Sequence, residues 1–341
     1  MRPITLERAP DLAAVRRLAA GFPQDAAHVQ SSKQYLGGGT TLLDLMKLDV
    51  MQPDTLIDIK GLDRSHGAIT ADATGLRLGA LVRMSAAADH SAIRRDYPAL
   101  SDALLLAASP QLRNMATLGG NVLQRTRCSY FRDTGWAACN KRRPGSGCAA
   151  IGGVTRLLAV LGVSEHCIVH YPGDFAIALV ALGAEADLLG PDGAARSIGF
   201  EDLHRLPGDA PHIETTLRPG ELITGFRVPA APWTRRSLYL KVRDRESYAF
   251  ALASAAVALD LRPDGTVAAA RVGLGGLAAK PWRSHEAEAA LTGQRLDERT
   301  AQAAAERAFA DAVTHGDNAF KPELGRRTLV RALLQAAEME I

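Results

Sequence analysis

All four cysteines of the chain fall between positions 128 and 167, spaced C-x10-C-x8-C-x18-C as Cys128, Cys139, Cys148 and Cys167. If they share one centre, that centre pins about forty residues of chain whatever the rest does. Four thiolates suit a tetrahedral zinc or a [4Fe–4S] cluster. Structural zinc sites usually carry a close C-x2–4-C pair, and this sequence has none. A cluster tolerates wider spacing. Arg125, Arg127, Arg132, Lys141, Arg142 and Arg143 face only Asp133 in the local sequence. Such cations would stabilise a dianionic four-thiolate cluster, and Gly135, Gly145 and Gly147 would let backbone amides approach its sulfurs. Four unconnected thiols packing as small hydrophobes remain an alternative. Two disulfides are another, in an oxidising compartment. The segment's large apolar residues before Cys148 are Tyr130, Phe131 and Trp136. That is too few to order it against chain entropy without help.

The remainder has material for a large core: 341 residues, 47% hydrophobic, enough for two or three domains. Forty basic against 37 acidic residues give a net charge of +3, so nothing marks a nucleic-acid or anionic-membrane surface. Only 5% of residues are aromatic, which argues against base stacking. No apolar run reaches the ~18 residues needed to span a bilayer. "MRPITLERAPDLAAVRR" lacks an apolar h-region, so no secretory signal is expected there.

Along the chain, "SKQYLGGGTTLLDLMKLDV" reads as strand, glycine turn, helix, with Thr40 or Thr41 as cap. "TLIDI" is a strand, and "ITADATGLRLGALV" a hairpin. Residues 84–108 read as helical, and "RNMATLGGNV" as a second glycine loop. After the cysteine segment, Asp174 opens the helix "FAIALVALGA". "ADLLGPDGAARSI" is a hairpin turning at Pro-Asp-Gly. "ELITGFRVP" is a strand ending at Pro229, and "PAAPW" marks a boundary. "SLYLKVR", "ALASAAVALDL" and "VAAARVGLGGL" are then three strands, followed by helices over 283–292, 297–313 and 324–338. Strands followed by helices give an α+β unit.

The two glycine loops have the makings of a diphosphate clamp. Gly37, Gly38 and Gly39 stand between a strand and a helix, where missing Cβ atoms allow close approach to free amides. Thr117, Gly119, Gly120 and Asn121 form the second loop. Neither matches G-x-G-x-x-G or a Walker A sequence, and a glycine turn before a helix is often only a turn. His166 and His170 read as surface loop residues, and Asp44 and Asp49 as solvated helix positions.

"GGGTTLLDLMK", "SPQLRNMATLGGNVLQRTRC" and "LYLKVRDRESYAFALA" resemble the FAD-binding medium subunit of the xanthine dehydrogenase (molybdenum hydroxylase) family, across essentially the whole chain. "QRTRCSYFRDTG" and "CNKRRPGSGC" resemble its subgroup with an inserted [4Fe–4S] loop, the periplasmic-type aldehyde oxidoreductases and hydroxybenzoyl-CoA reductase, the former more closely. The resemblance implies a two-lobed FAD-binding domain of the vanillyl-alcohol-oxidase (PCMH) type over 1–230, with the cluster loop inserted at about 125–170. A C-terminal domain of CO dehydrogenase flavoprotein type would follow over 235–341, with a three-stranded antiparallel sheet and three helices. It implies that Leu36, Gly37, Gly38, Gly39, Thr40, Thr41 and Leu42 hold the FAD pyrophosphate. Thr117, Gly120 and Asn121 would complete the clamp. Asp174 and Ile223 would contact FAD, and Lys241 would lie beside the isoalloxazine. Without the resemblance, Lys241 reads as an exposed strand lysine. The implied cofactors are FAD and a [4Fe–4S] cluster on Cys128, Cys139, Cys148 and Cys167.

The implied partners are a large molybdenum-cofactor subunit and a small subunit with two [2Fe–2S] clusters, as a heterotrimer or a dimer of heterotrimers. Electrons would pass from the small subunit through FAD to an external acceptor, and no residue here would hydroxylate substrate. Alternatives are a self-sufficient FAD oxidase, a hydroxybenzoyl-CoA reductase-like subunit, or a zinc-stapled binding module. The expected location is the periplasm, by folded co-export with a signal-bearing partner, or the cytoplasm, with no membrane insertion.

Overall fold

The computed structural model describes residues 2–23 and 30–341. Its twelve strands make three sheets. The first is parallel, in the order β1 (Thr5–Arg8), β3 (Thr55–Asp58), β2 (Lys33–Leu36), with Thr55 aligned to both Thr5 and Lys33. The helix Leu12–Ala19 starts where the Asp11 carboxylate accepts from the Ala14 amide at 2.7 Å. It buries Ala14, Val15 and Ala19 in one cluster with Ile57 and Ile59.

The second sheet is antiparallel and runs β4 (Ile69–Asp72), β5 (Gly75–Gly79), β8 (Leu222–Pro229), β6 (Glu185–Leu189), β7 (Ala195–Gly199). Both expected hairpins form, β4 with β5 and β6 with β7. The long strand β8 closes the sheet between them. Residues 84–108 break into three short helices, Met84–Asp89, Ser91–Asp96 and Pro98–Leu105, the last starting at Pro98 in its first turn. They pack with the helix Asp174–Ala181, all eight of whose residues are buried.

The third sheet is also antiparallel: β12 (Trp282–Arg283), β11 (Val267–Gly275), β10 (Ala253–Leu261), β9 (Ser237–Val242). It has one strand more than the sequence predicts, because β12 is two residues long and too short to show an alternating pattern. Helices His285–Leu291, Glu298–Ala308 and Lys321–Ala337 cover one face. The helix Asp174–Ala181 leans on the other side so closely that a Cβ at Gly273 would stand 2.6 Å from the Ile177 carbonyl oxygen. Covered on both faces, β10 reads as a continuous small-apolar run, buried from Ala253 to Leu259. Among the described residues no helix is long and apolar enough to cross a membrane.

The cysteine segment departs from expectation. It has an apolar core of its own: Cys128, Tyr130, Phe131, Cys139, Leu158, Cys167, Ile168 and Val169 cluster with Leu45, Met46, Met51 and Leu56. The apolar partners come from the first sheet and the helix Leu42–Lys47, over 70 positions away in sequence, so local composition understated what the segment can bury.

Candidate flavin cleft and cysteine cluster

The strand β2 ends at Leu36, and the chain enters a cleft at its carboxyl end. The cleft encloses about 950 Å³, counting its open mouth. Leu36, Gly37, Gly38, Gly39, Thr40, Thr41 and Leu42 line one wall, with Thr117, Gly119 and Gly120 beside them. Ile59, Ala80, Leu81, Leu222 and Ile223 supply an apolar floor, and Arg125 and Glu221 supply charge.

The two glycine loops meet backbone to backbone. A Cβ on Gly38 would overlap the Met115 carbonyl, and one on Gly37 would stand 2.8 Å from Thr117 Oγ1. The second loop is held in turn by Ala80–Met84: Leu118 N donates to Val82 O at 2.9 Å, and Gly119 N to Ala80 O at 2.8 Å. Among the described residues nothing accepts a backbone hydrogen bond from Gly38, Gly39, Thr40 or Thr41. A row of unmatched amides at a cleft wall is a binding site for anionic oxygen. Neither Thr40 nor Thr41 caps the helix Leu42–Lys47, since Thr41 is itself in the helical region with no side-chain cap bond. Thr117 instead caps the short helix Leu118–Val122 of the second loop, its Oγ1 accepting from Gly120 N at 3.3 Å.

Three expected FAD residues do not line the cleft. The Asn121 amide donates to Met84 Sδ at 3.3 Å, and its Oδ1 is buried without a partner among the described residues. Asp174 and Lys241 pair with each other at 2.8 Å, both buried. Tyr239 donates to Asp174 at 2.6 Å, and Lys241 also donates to the Leu106 carbonyl at 3.0 Å. Burial pushes the Asp174 carboxyl up, against the pull of Lys241. This network fastens the start of the helix Asp174–Ala181 to β9, so Lys241 is no exposed strand lysine.

The four cysteines are all free, and they converge. Cys139 and Cys148 face each other across an antiparallel bridge. Cys128 and Cys167 are buried, and the charge of Cys148 reaches both. Burial first, and then the neighbouring thiols, push Cys128 up to about 11 and Cys167 to about 12. Lys141 opposes that shift at Cys167. Among the described residues no group of three or more His, Cys, Asp or Glu side chains is placed to hold a single metal ion.

The surrounding cations are not free, contrary to the reading from local sequence. Arg127 and Arg132 reach Asp44 at 3.3 and 2.8 Å, so Asp44 is no solvated helix position; the pair holds its carboxyl below the usual range. Arg125 donates two hydrogen bonds to Glu214 Oε1, at 2.9 and 2.6 Å, and Lys141 Nζ lies 3.3 Å from the same oxygen. Burial alone would raise Glu214, but Arg125 and Lys141 override it and hold the carboxyl at about 2. Both carboxylates lie more than 70 positions from their partners. Asp49 does stay at the surface, bonded to Arg2. His166 is exposed near Asp209, as expected. His170 is instead buried, neither ring nitrogen has a partner among the described residues, and burial pushes it down to about 3.

The fold and the cleft define a flavoprotein component of the molybdopterin dehydrogenases. A family model described as the FAD binding domain in molybdopterin dehydrogenase matches residues 13–231, and the CO dehydrogenase flavoprotein C-terminal domain matches 238–337. The chain belongs to this family of FAD-binding medium subunits, which are oxidoreductase components. Within it, the chain is 50% identical over 303 residues to the aldehyde oxidoreductase FAD-binding subunit PaoB of Escherichia coli, covering 89% of this chain and 91% of that one. It is 28% identical to the carbon monoxide dehydrogenase medium chain of Afipia carboxidovorans, over 82% of this chain and 78% of that one. The cyanide-inactivated Cu,Mo-CO dehydrogenase shares the fold with a TM-score of 0.74, at 23% identity over 99% of each chain.

Proposed function

We propose that this chain is the FAD- and [4Fe–4S]-carrying electron-transfer subunit of a molybdenum-dependent aldehyde oxidoreductase. The observation that carries the flavin assignment is the cleft wall at Gly38–Thr41, where unmatched amides face open space. These amides take the diphosphate, and Thr117 holds Gly120 in line beside them. The apolar floor of Leu81, Leu222 and Ile223 excludes water from the dinucleotide. FAD supplies the exchange of electrons between [2Fe–2S] clusters of a small subunit and an external acceptor. A large molybdenum-bearing subunit carries the substrate, and the 50% identity to an aldehyde oxidoreductase component favours an aldehyde.

The cysteines fit a [4Fe–4S] cluster better than the alternatives. Four free thiols gather in one apolar neighbourhood, and burial there penalises Cys128 and Cys167 as bare thiolates. A single zinc needs ligands about 2.3 Å from one point, and among the described residues no set of three or more such side chains meets at one. A four-iron cluster fills a larger space between the same sulfurs. On this reading, export carries a folded, cofactor-loaded chain in company with a partner subunit, and the other location is the cytoplasm.

The purified chain should show flavin absorption over a broad iron–sulfur background. Cys139→Ser should lose iron and retain flavin. One equivalent of zinc in place of iron would overturn the cluster, and aldehyde oxidation by the chain alone would overturn the subunit role.

A further inference from the structure

One carboxylate touches both halves of this site. Arg125 lines the cleft, and its guanidinium also lies 4.5 Å over the ring of Phe131, inside the cysteine cluster's apolar core. Lys141 sits two positions beyond Cys139, and neighbouring Asn140 donates to the His166 carbonyl at 3.0 Å, beside Cys167. Glu214 stands between them and bonds both cations through the same oxygen, Oε1. All three side chains are largely buried, with exposures of 5%, 8% and 14% for Arg125, Lys141 and Glu214. Lys141 is fixed further by donating to the Pro211 carbonyl at 2.9 Å. The Glu214 backbone is fixed by accepting from Arg205 N at 3.0 Å.

Two positive groups and one negative leave a net positive charge out of solvent, where screening is weak. Arg125 brings it to the flavin side and Lys141 to the thiol side. Both cations depend on Glu214 for their position.

We propose that Glu214 is a positioning residue that seats one cation at the flavin and one at the cysteine cluster, and so ties the reduction potentials of the two centres together. The proposal rests on the FAD and cluster assignments above. A fixed cation favours the state with the added electron, so each seated cation raises the potential of the centre it faces. Replacing Glu214 by Gln removes the only negative member and increases the net positive charge on both sides. Replacing Lys141 by Met leaves a neutral Arg125–Glu214 pair and withdraws charge chiefly from the thiol side.

The test is a potentiometric titration of the full chain, following the flavin by absorbance and the cluster by its electron spin resonance. Glu214→Gln should move both midpoints upward, and Lys141→Met should move the cluster midpoint downward by more than it moves the flavin midpoint. A shift of one midpoint only in Glu214→Gln, or of neither, overturns the coupling. If Glu214→Gln does not fold, Lys141→Met decides alone: an unmoved cluster midpoint, or equal movement of both, overturns it. Iron analysis of the unmodified chain separates the two levels, because an iron-free protein overturns the cluster assignment and this proposal with it.

Discussion

The flavin cleft and the cysteine segment adjoin each other but are built in opposite ways. The cleft wall is set by close backbone approach, with Gly38 packed onto the Met115–Ala116 backbone and Gly37 onto the Thr117 hydroxyl. The cysteine segment is held by side chains: Phe131 at its centre, Tyr130 against Trp136 at 4.9 Å between ring centroids, and the pairs at Asp44 and Glu214. A backbone-built wall fails when a single carbon is added. A side-chain-built segment fails when atoms or charges are removed.

The largest effect should come from Phe131→Ala, which empties a fully buried ring site and removes the ring beneath Arg125. The expected loss is about 3–5 kcal/mol, read by chemical denaturation. If the cysteines hold the proposed cluster, iron should be lost before flavin; simultaneous loss would mean that the two regions are one unit. Acid should act next, through Glu214. Its carboxyl is held at about 2 against an ordinary 4.5, so its contribution is complete above pH 4.5 and disappears as the pH falls toward 2. Linkage puts that contribution at about 3 kcal/mol. Glu214→Gln should flatten the stability profile in this window, and an unchanged slope would count against the ion triad. Gly38→Val should cost about 1–3 kcal/mol through a displaced loop and should release flavin while iron is retained. Full flavin occupancy in that variant would show that the loops can part without opening the cleft. Thr117→Ala should be mildest, about 1 kcal/mol for a lost helix cap, with weaker flavin retention in dialysis and no change in iron.

The sequence shows clearly those features that depend on neighbours in the chain. Alternation around a turn gives β4 and β5, the Pro-Asp-Gly turn gives β6 and β7, and the glycines mark both cleft loops. The residues that complete the site are less visible because their partners are remote. Arg125 reads as one basic residue among several until the fold brings Glu214 to it from 89 positions away. His170 reads as a loop residue because nothing local shows that both of its faces will be covered. Thr41 gives its helix no side-chain cap because its backbone is already helical, whereas Thr117, extended, caps the separate helix Leu118–Val122. Asp174 and Lys241 show the reverse case. Each is an ordinary charged residue in its own stretch, and burial on facing elements makes them a pair.

Lys321 is fully buried, and its amine donates to the Leu158 carbonyl at 3.0 Å and the Gly276 carbonyl at 2.6 Å. Thr155 and Ala159 are tied to the same stretch through His315, Asp317 and Asn318. On the ribosome these connections cannot form in order. Leu158 emerges 163 residues before Lys321, so the stretch that follows the third cysteine waits through nearly half of synthesis for the groups that hold it. During that interval the newborn chain already has the Leu45–Leu56 partners of its thiols but not the groups that hold residues 155–159. That short stretch is therefore the last part of the cysteine segment to be fixed.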